Sequence, residues 1–187
     1  MNIIETAIPE VKLVEPKVFG DHRGFFMESY NQERYENAGI KAKFLQDNIS
    51  KSSKGVLRGL HLQNPKSQGK LVSVLEGEVF DVAVDVRVGS PTFGKWVGYL
   101  LNDENRRQLW VPRGFAHGFV VTSETATFTY KCDELYAPEH EMSVLWNDPK
   151  IGVEWPIENP TLSEKDIKGK PLYDFDDKEL PNYEDFR

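Results

Sequence analysis

The sequence predicts an all-β fold, an antiparallel sandwich or barrel of the double-sheet jelly-roll kind, and three observations carry the prediction. Over residues 78–88, Phe80, Val82, Val84, Val86 and Val88 alternate with Val79, Asp81, Ala83, Asp85 and Arg87; a period of two over that length marks a strand with one buried face. Short stretches of comparable composition recur at close spacing through most of the chain. Turn signals separate them, among them Phe19-Gly20-Asp21, Glu76-Gly77-Glu78, Gly89-Ser90-Pro91 and Arg113-Gly114. Many short strands divided by such turns build sandwiches and barrels.

In chain order, strands are expected at residues 12–19 and 25–30, on either side of the first Gly-containing turn. A two-turn helix follows at 31–38, capped by Asn31 and ended by Gly39. Strands at 44–50, 56–63 and 70–75 lead to the strongly periodic 78–88. Past Gly89-Ser90-Pro91 come strands at 96–101 and 108–111, and past Arg113-Gly114 strands at 118–122, 126–132 and 142–146. A second short helix is expected at 161–168, where Ser163 caps and Asp166 stands three residues on, the spacing of a capping box. Helices are therefore few, confined to the N-terminal third and the C-terminus. At 187 residues the chain suits one domain, with a core over 1–170 and 171–187 as a partly ordered acidic surface tail.

Composition narrows the function. The net charge of −7 argues against a nucleic-acid or anionic-membrane binder. In 171–187 six acidic residues oppose Lys178 and Arg187, so that segment carries −4 and residues 1–170 only −3; a local cation cluster for a small anion remains open. No apolar run of membrane-spanning length exists, the start MNIIETAIPE lacks a signal-peptide pattern, and the single Cys132 precludes an internal disulfide. These features point to a cytoplasmic protein. No Gly-x-Gly-x-x-Gly after a strand, P-loop or Cys-x-x-Cys is present, so chemistry must come from side chains.

The stretch GVLRGLHLQ at 55–63 puts Arg58 and His61 in a strand. Imidazole suits proton abstraction near neutral pH, yet a lone strand His is more often a hydrogen-bonded structural residue. Gly59 beside it marks a bulge or the close approach of a ligand, which could let both side chains face inward. A metal site is disfavoured: Gln63 stands where the second His of a jelly-roll metal pair would be, Gln68 takes the place of a carboxylate, and His117 alone fills the later position. Tyr130 is either core packing or a proton donor. Asp166 is either the far end of the capping box or the group that orients His61. Lys70, Arg23, Arg58, Arg113 and Lys165 are surface charges or parts of an anion site.

Taken together and in this order, Asp21-His22-Arg23-Gly24-Phe25-Phe26, Gln46-Asp47-Asn48, Leu57-Arg58-Gly59-Leu60-His61, Gln68-Gly69-Lys70-Leu71-Val72, Val111-Pro112-Arg113-Gly114-Phe115-Ala116-His117-Gly118-Phe119, Tyr130 and Leu162-Ser163-Glu164-Lys165-Asp166 resemble the dTDP-4-dehydrorhamnose 3,5-epimerase family. The resemblance implies a cupin-type jelly-roll barrel, a homodimer with N-terminal residues crossing into the partner's site, and no metal or other cofactor. It implies a substrate, dTDP-4-dehydro-6-deoxy-D-glucose, converted to dTDP-4-dehydro-L-rhamnose by inversion at C3 and C5. By the same resemblance His61 is the base, Asp166 its orienting partner, Tyr130 the proton donor on the opposite face, and Lys70 the enolate stabiliser. Arg23, Phe26, Glu28, Gln46, Asn48, Arg58, His117, Phe119, Glu141 and Lys165 would bind sugar and diphosphate, with Tyr136 stacked on thymine. Inversion at one carbon only, a non-catalytic nucleotide-sugar binder and a metal-dependent cupin are the alternatives.

Overall fold

The computed structural model describes residues 1–186 and is built mainly of antiparallel strands. The first pair is β1 (Asn2–Glu5) with β2 (Lys12–Glu15), followed by the hairpin β3 (Val18–Asp21) and β4 (Gly24–Met27). Pro16 divides the expected 12–19 strand into β2 and β3, since proline cannot donate to a ladder. Helix α1 (Gln32–Asn37) begins where Asn31 accepts the Arg34 N–H and ends at Gly39, whose φ of +85° suits glycine. The remaining strands are β5 (Gln46–Ser53), β6 (Leu57–Gln63), β7 (Lys70–Glu76), β8 (Glu78–Asp85), β9 (Trp96–Asn102), β10 (Gln108–Val111), β11 (Phe115–Val121), β12 (Thr125–Cys132) and β13 (Glu141–Ser143), before helix α2 (Glu164–Ile167).

Two sheets form a jelly roll, one ordered β1-β2-β10-β7-β12-β5 and the other β13-β6-β11-β8-β9. Their facing sides share one core, where Val72, Val74 and Phe128 of the first meet Val79, Ala83, Phe115 and Phe119 of the second. Each Val or Phe among them, fully buried, contributes about 1.5–3 kcal/mol. At one end polar residues replace these apolar ones and the interior opens.

Strand β8 is buried on both faces, not one. Val79, Asp81 and Ala83 face the interior, while Val82, Val84 and Val86 pack outward against Val144, Ile151, Leu172 and Leu180. The segment beyond residue 170 is thus a cover for the second sheet. The Val88 N–H donates to Pro181 O at 2.8 Å and the Tyr183 N–H to Val88 O at 3.0 Å. Arg87 lies between the rings of Phe115 and Tyr183. The expected acidic surface tail is anchored because Leu172 and Leu180 supply apolar area that its charges obscure in the sequence.

Candidate active site

A cavity of about 430 Å³ opens between the sheets. The second sheet sends into it Arg58 and His61 from β6, His117 and Phe119 from β11, and Glu141 from β13. The first sheet faces them with Gln46 and Asn48 from β5, Lys70 from β7 and Tyr130 from β12; Lys165 and Asp166 come from α2, and Tyr136 from the loop after β12. Arg23, Phe26 and Glu28 are not brought to this cavity. Arg23 is exposed and paired with Asp21 on the β3–β4 hairpin, Phe26 is 70% exposed, and Glu28 pairs with Arg34.

The spacing of Arg58 and His61 is explained by a bulge. His61 opposes His117 across the β6–β11 ladder and Arg58 opposes Phe119, so three steps on β6 match two on β11. Gly59 sits in the bulge at φ +136°, and a Cβ there would come within 2.5 Å of Gly118 Cα. Only glycine fits. The Gly59–Leu60 peptide is cis.

Asp166 makes the contacts that both of its expected readings require. Its Oδ2 accepts the Ser163 N–H at 3.3 Å, completing the capping box, and the Ser163 hydroxyl at 2.6 Å, while Oδ1 meets His61 Nε2 at 2.6 Å and accepts the Gly59 N–H at 3.3 Å. Burial pushes this carboxyl up, but the bonds from His61 and Ser163 outweigh it and hold it at about 2. An ionised Asp166 accepts a hydrogen bond from the Nε2–H of His61, which leaves Nδ1 as the basic nitrogen. Burial lowers the His61 pKa, the Asp166 bond opposes that, and the nearby Lys165 charge reinforces it. The net shift favours the neutral imidazole, the form a base needs.

A second pair lies deeper: His117 Nε2 is 3.0 Å from each carboxylate oxygen of the fully buried Asp81. Asp81 was not among the expected site residues, although a carboxylate amid β8 valines was a visible signal. Burial raises its pKa, against the opposing pull of His117 and Lys70. Gln68, Ser50, Phe128 and Ser163 also line the cavity. Gln63 is buried elsewhere, bonding to the Lys66 and Leu135 carbonyls and the Ala137 N–H. Among the described residues no three His, Cys, Asp or Glu side chains are grouped to hold a metal ion.

Two cavity cations lack carboxylate partners among the described residues. Within that set Arg58 donates only to Ser52 Oγ, from Nε at 3.3 Å and Nη2 at 3.2 Å. Lys70 forms no hydrogen bond or ion pair with any described residue, and burial lowers its pKa. Lys165 is paired with Glu141, whose other oxygen accepts the Tyr136 hydroxyl at 3.0 Å. Burial raises the pKa of Tyr130, keeping the phenol protonated and able to donate. The cavity therefore sets a neutral imidazole on one sheet against a phenol and an unpaired ammonium on the other. A guanidinium and an ammonium without carboxylate partners among the described residues suit an anionic ligand.

The family model for dTDP-4-dehydrorhamnose 3,5-epimerase matches residues 5–174. The dTDP-4-dehydrorhamnose 3,5-epimerase of Shigella flexneri is 60% identical over 178 residues, spanning 94% of this chain and 98% of that one. The crystal structure of a dTDP-6-deoxy-D-glucose-3,5-epimerase from Legionella pneumophila, in complex with dTDP-4-keto-L-rhamnose, superposes with a TM-score of 0.95 at 57% identity, covering 97% of this chain and 98% of that one. A 3'-monoepimerase from Streptomyces bikiniensis in complex with dTDP-quinovose superposes with a TM-score of 0.89 at 33% identity, covering 96% and 93%. With a family match over most of its length and relatives of this similarity, the chain belongs to the dTDP-4-dehydrorhamnose 3,5-epimerase family.

Proposed function

We propose that the protein inverts C3 and C5 of dTDP-4-dehydro-6-deoxy-D-glucose, giving dTDP-4-dehydro-L-rhamnose. The observation that carries the reading is the His61–Asp166 pair on one wall of the cavity, facing Tyr130 and an unpaired Lys70 on the other. His61 Nδ1 removes the proton from a carbon next to the C4 ketone. The C–H electron pair becomes the double bond to C4 and the carbonyl π pair moves onto the C4 oxygen, giving an enolate whose charge the Lys70 ammonium meets. Tyr130 then delivers its phenolic proton to the opposite face, leaving a phenolate and an imidazolium that exchange protons with solvent. Repetition at the second carbon completes the reaction. A placed base is worth about 10²–10⁴ in rate, and a donor at the developing oxyanion about 10²–10³.

In this reading Arg58 holds the diphosphate, Tyr136 stacks on thymine, and Gln46, Asn48, His117, Phe119, Glu141 and Lys165 bind the rest of the substrate. No metal or cofactor is required, because the ketone already acidifies both carbons. Arg23, Phe26 and Glu28 serve the cavity of a second subunit in a homodimer. The support is the exposed hairpin, where Phe19, Phe25 and Phe26 are each more than half exposed on a two-stranded ribbon, an arrangement that needs a covering surface. No helix among the described residues is long and apolar enough to cross a membrane, and we place the enzyme in the cytoplasm.

Turnover in deuterium oxide tests the reading: label is expected at both C3 and C5 of the product. Label at one carbon would make the protein a monoepimerase. Tight dTDP binding with no label would make it a binding protein.

A further inference from the structure

Lys70 has an exacting task in the proposed reaction and little side-chain support. Its ammonium has no hydrogen-bonding or ion-pair partner among the described residues, so its placement depends on its backbone. That backbone is the first residue of β7, on a terminal rung of the ladder opposite Cys132 of β12 and Val111 of β10. Terminal rungs are where strands fray.

Just beyond the rung, Asp133 closes a two-bond ring on the preceding residue. The Gly69 N–H donates to Asp133 Oδ1 at 2.6 Å and the Asp133 N–H donates to Gly69 O at 3.1 Å. Gly69 is pressed into this clasp: a Cβ on it would lie 2.6 Å from Trp110 Cη2 and 2.8 Å from Asp133 Oδ2. Asp133 is only 9% exposed and is itself held by Arg113, which donates from Nε to Oδ2 at 3.0 Å and from Nη2 to the Asp133 carbonyl at 2.8 Å. The flanking residues are tied to the same two loops. Gln68 Nε2 donates to Glu134 O at 2.9 Å, and the Gly114 N–H donates to Ser67 Oγ at 2.7 Å.

We propose that Asp133, braced by Arg113, is a positioning residue that sets the Lys70 ammonium against the enolate oxygen by clamping the Gly69 backbone. The inference rests on the reading of Lys70 as enolate stabiliser. The clamp acts through geometry alone, so its loss affects the transition state more than nucleotide binding. A shift of about 1 Å at such a group costs about 10²-fold.

The test compares Asp133→Ala, Asp133→Asn, Lys70→Met and the Asp133→Ala/Lys70→Met double variant by kcat, KM, dTDP affinity and thermal midpoint. Asp133→Ala is expected to lower kcat about 10- to 10²-fold, with dTDP affinity retained. Asp133→Asn, whose Oδ1 can still accept the Gly69 N–H, should recover most of that loss. In the Lys70→Met background, Asp133→Ala should cost nothing further in kcat, whereas a purely structural role would cost the same in both backgrounds. An unchanged kcat in Asp133→Ala, or an additive loss in the double variant, would overturn the inference and leave the Lys70 reading standing. Full activity in Lys70→Met would overturn both. Should Asp133→Ala fail to fold, Arg113→Met removes the brace but keeps both Gly69 bonds, and its smaller kcat loss must likewise vanish in the Lys70→Met background.

Discussion

Replacing Asp166 by Asn removes one negative charge from a side chain that is 2% exposed and bonded to His61, Ser163 and Gly59. Its carboxyl is held at about 2 against an ordinary 3.8, which corresponds to about 2 kcal/mol of folding stability at neutral pH. Because the folded pKa is depressed, the unfolded chain takes up the proton first as pH falls. The stabilisation is therefore complete above about pH 4 and disappears towards pH 2. Urea titrations should find Asp166→Asn less stable by about 2 kcal/mol at pH 7, with the gap closing in acid. In catalysis, the imidazolium formed as His61 takes the substrate proton loses a charge-assisted bond worth about 1.5–3 kcal/mol, a kcat loss of about 10- to 10²-fold. The Asp166 bond also raises the His61 pKa, so the acid limb of kcat/KM should move to lower pH in the variant. Retention of wild-type kcat, or an acid limb displaced upward, would refute the pairing of Asp166 with the base.

Tyr130→Phe should still exchange substrate protons with solvent through His61, while inverted product falls about 10²–10⁴-fold; NMR in deuterium oxide separates exchange from inversion, and parallel losses of both would deny Tyr130 its role as donor. Lys165→Met removes a charge that lowers the His61 pKa, so the acid limb should rise in pH as KM increases; a pH–rate series reads both. Gly59→Ala forces a side chain into φ +136° and against Gly118, with a stability loss of at least about 1–3 kcal/mol by denaturant titration; a loss below this would mean the bulge can relax.

Much of the architecture was legible because alternation and turn chemistry are local. The strand expected at 78–88, which runs over Glu78–Asp85, the Asn31 and Ser163 caps, and the Gly59 bulge all follow from patterns within a few residues. What escaped depends on what lies outside each element. Nothing in 78–88 says that Leu172 and Leu180 will cover its second face, so β8 read as half-buried. The same omission made 171–187 look like a tail: six carboxylates dominate its composition, and two leucines decide its position. β1 went unrecognised because its two apolar residues, Ile3 and Ile4, are adjacent and show no alternation. In the site, Asp166 posed a choice between cap and dyad that one-dimensional spacing cannot resolve, since its two oxygens point to partners 3 and 105 residues away. Asp81 was passed over because its position in the alternation did not show that the barrel opens there.

The two oxygens of Asp166 also tie chemistry to a local folding equilibrium. Helix α2 has four residues, too few to be stable alone, so it persists through its cap and its contacts. Whenever that turn frays, the carboxylate leaves His61 and the base loses its preferred tautomer. In the proposed mechanism, the fraction of molecules able to react would then be the fraction with this one turn closed. Lys165 projects from the same turn into the cavity, so an anionic substrate drawn to it would favour the closed form and ready the base on arrival.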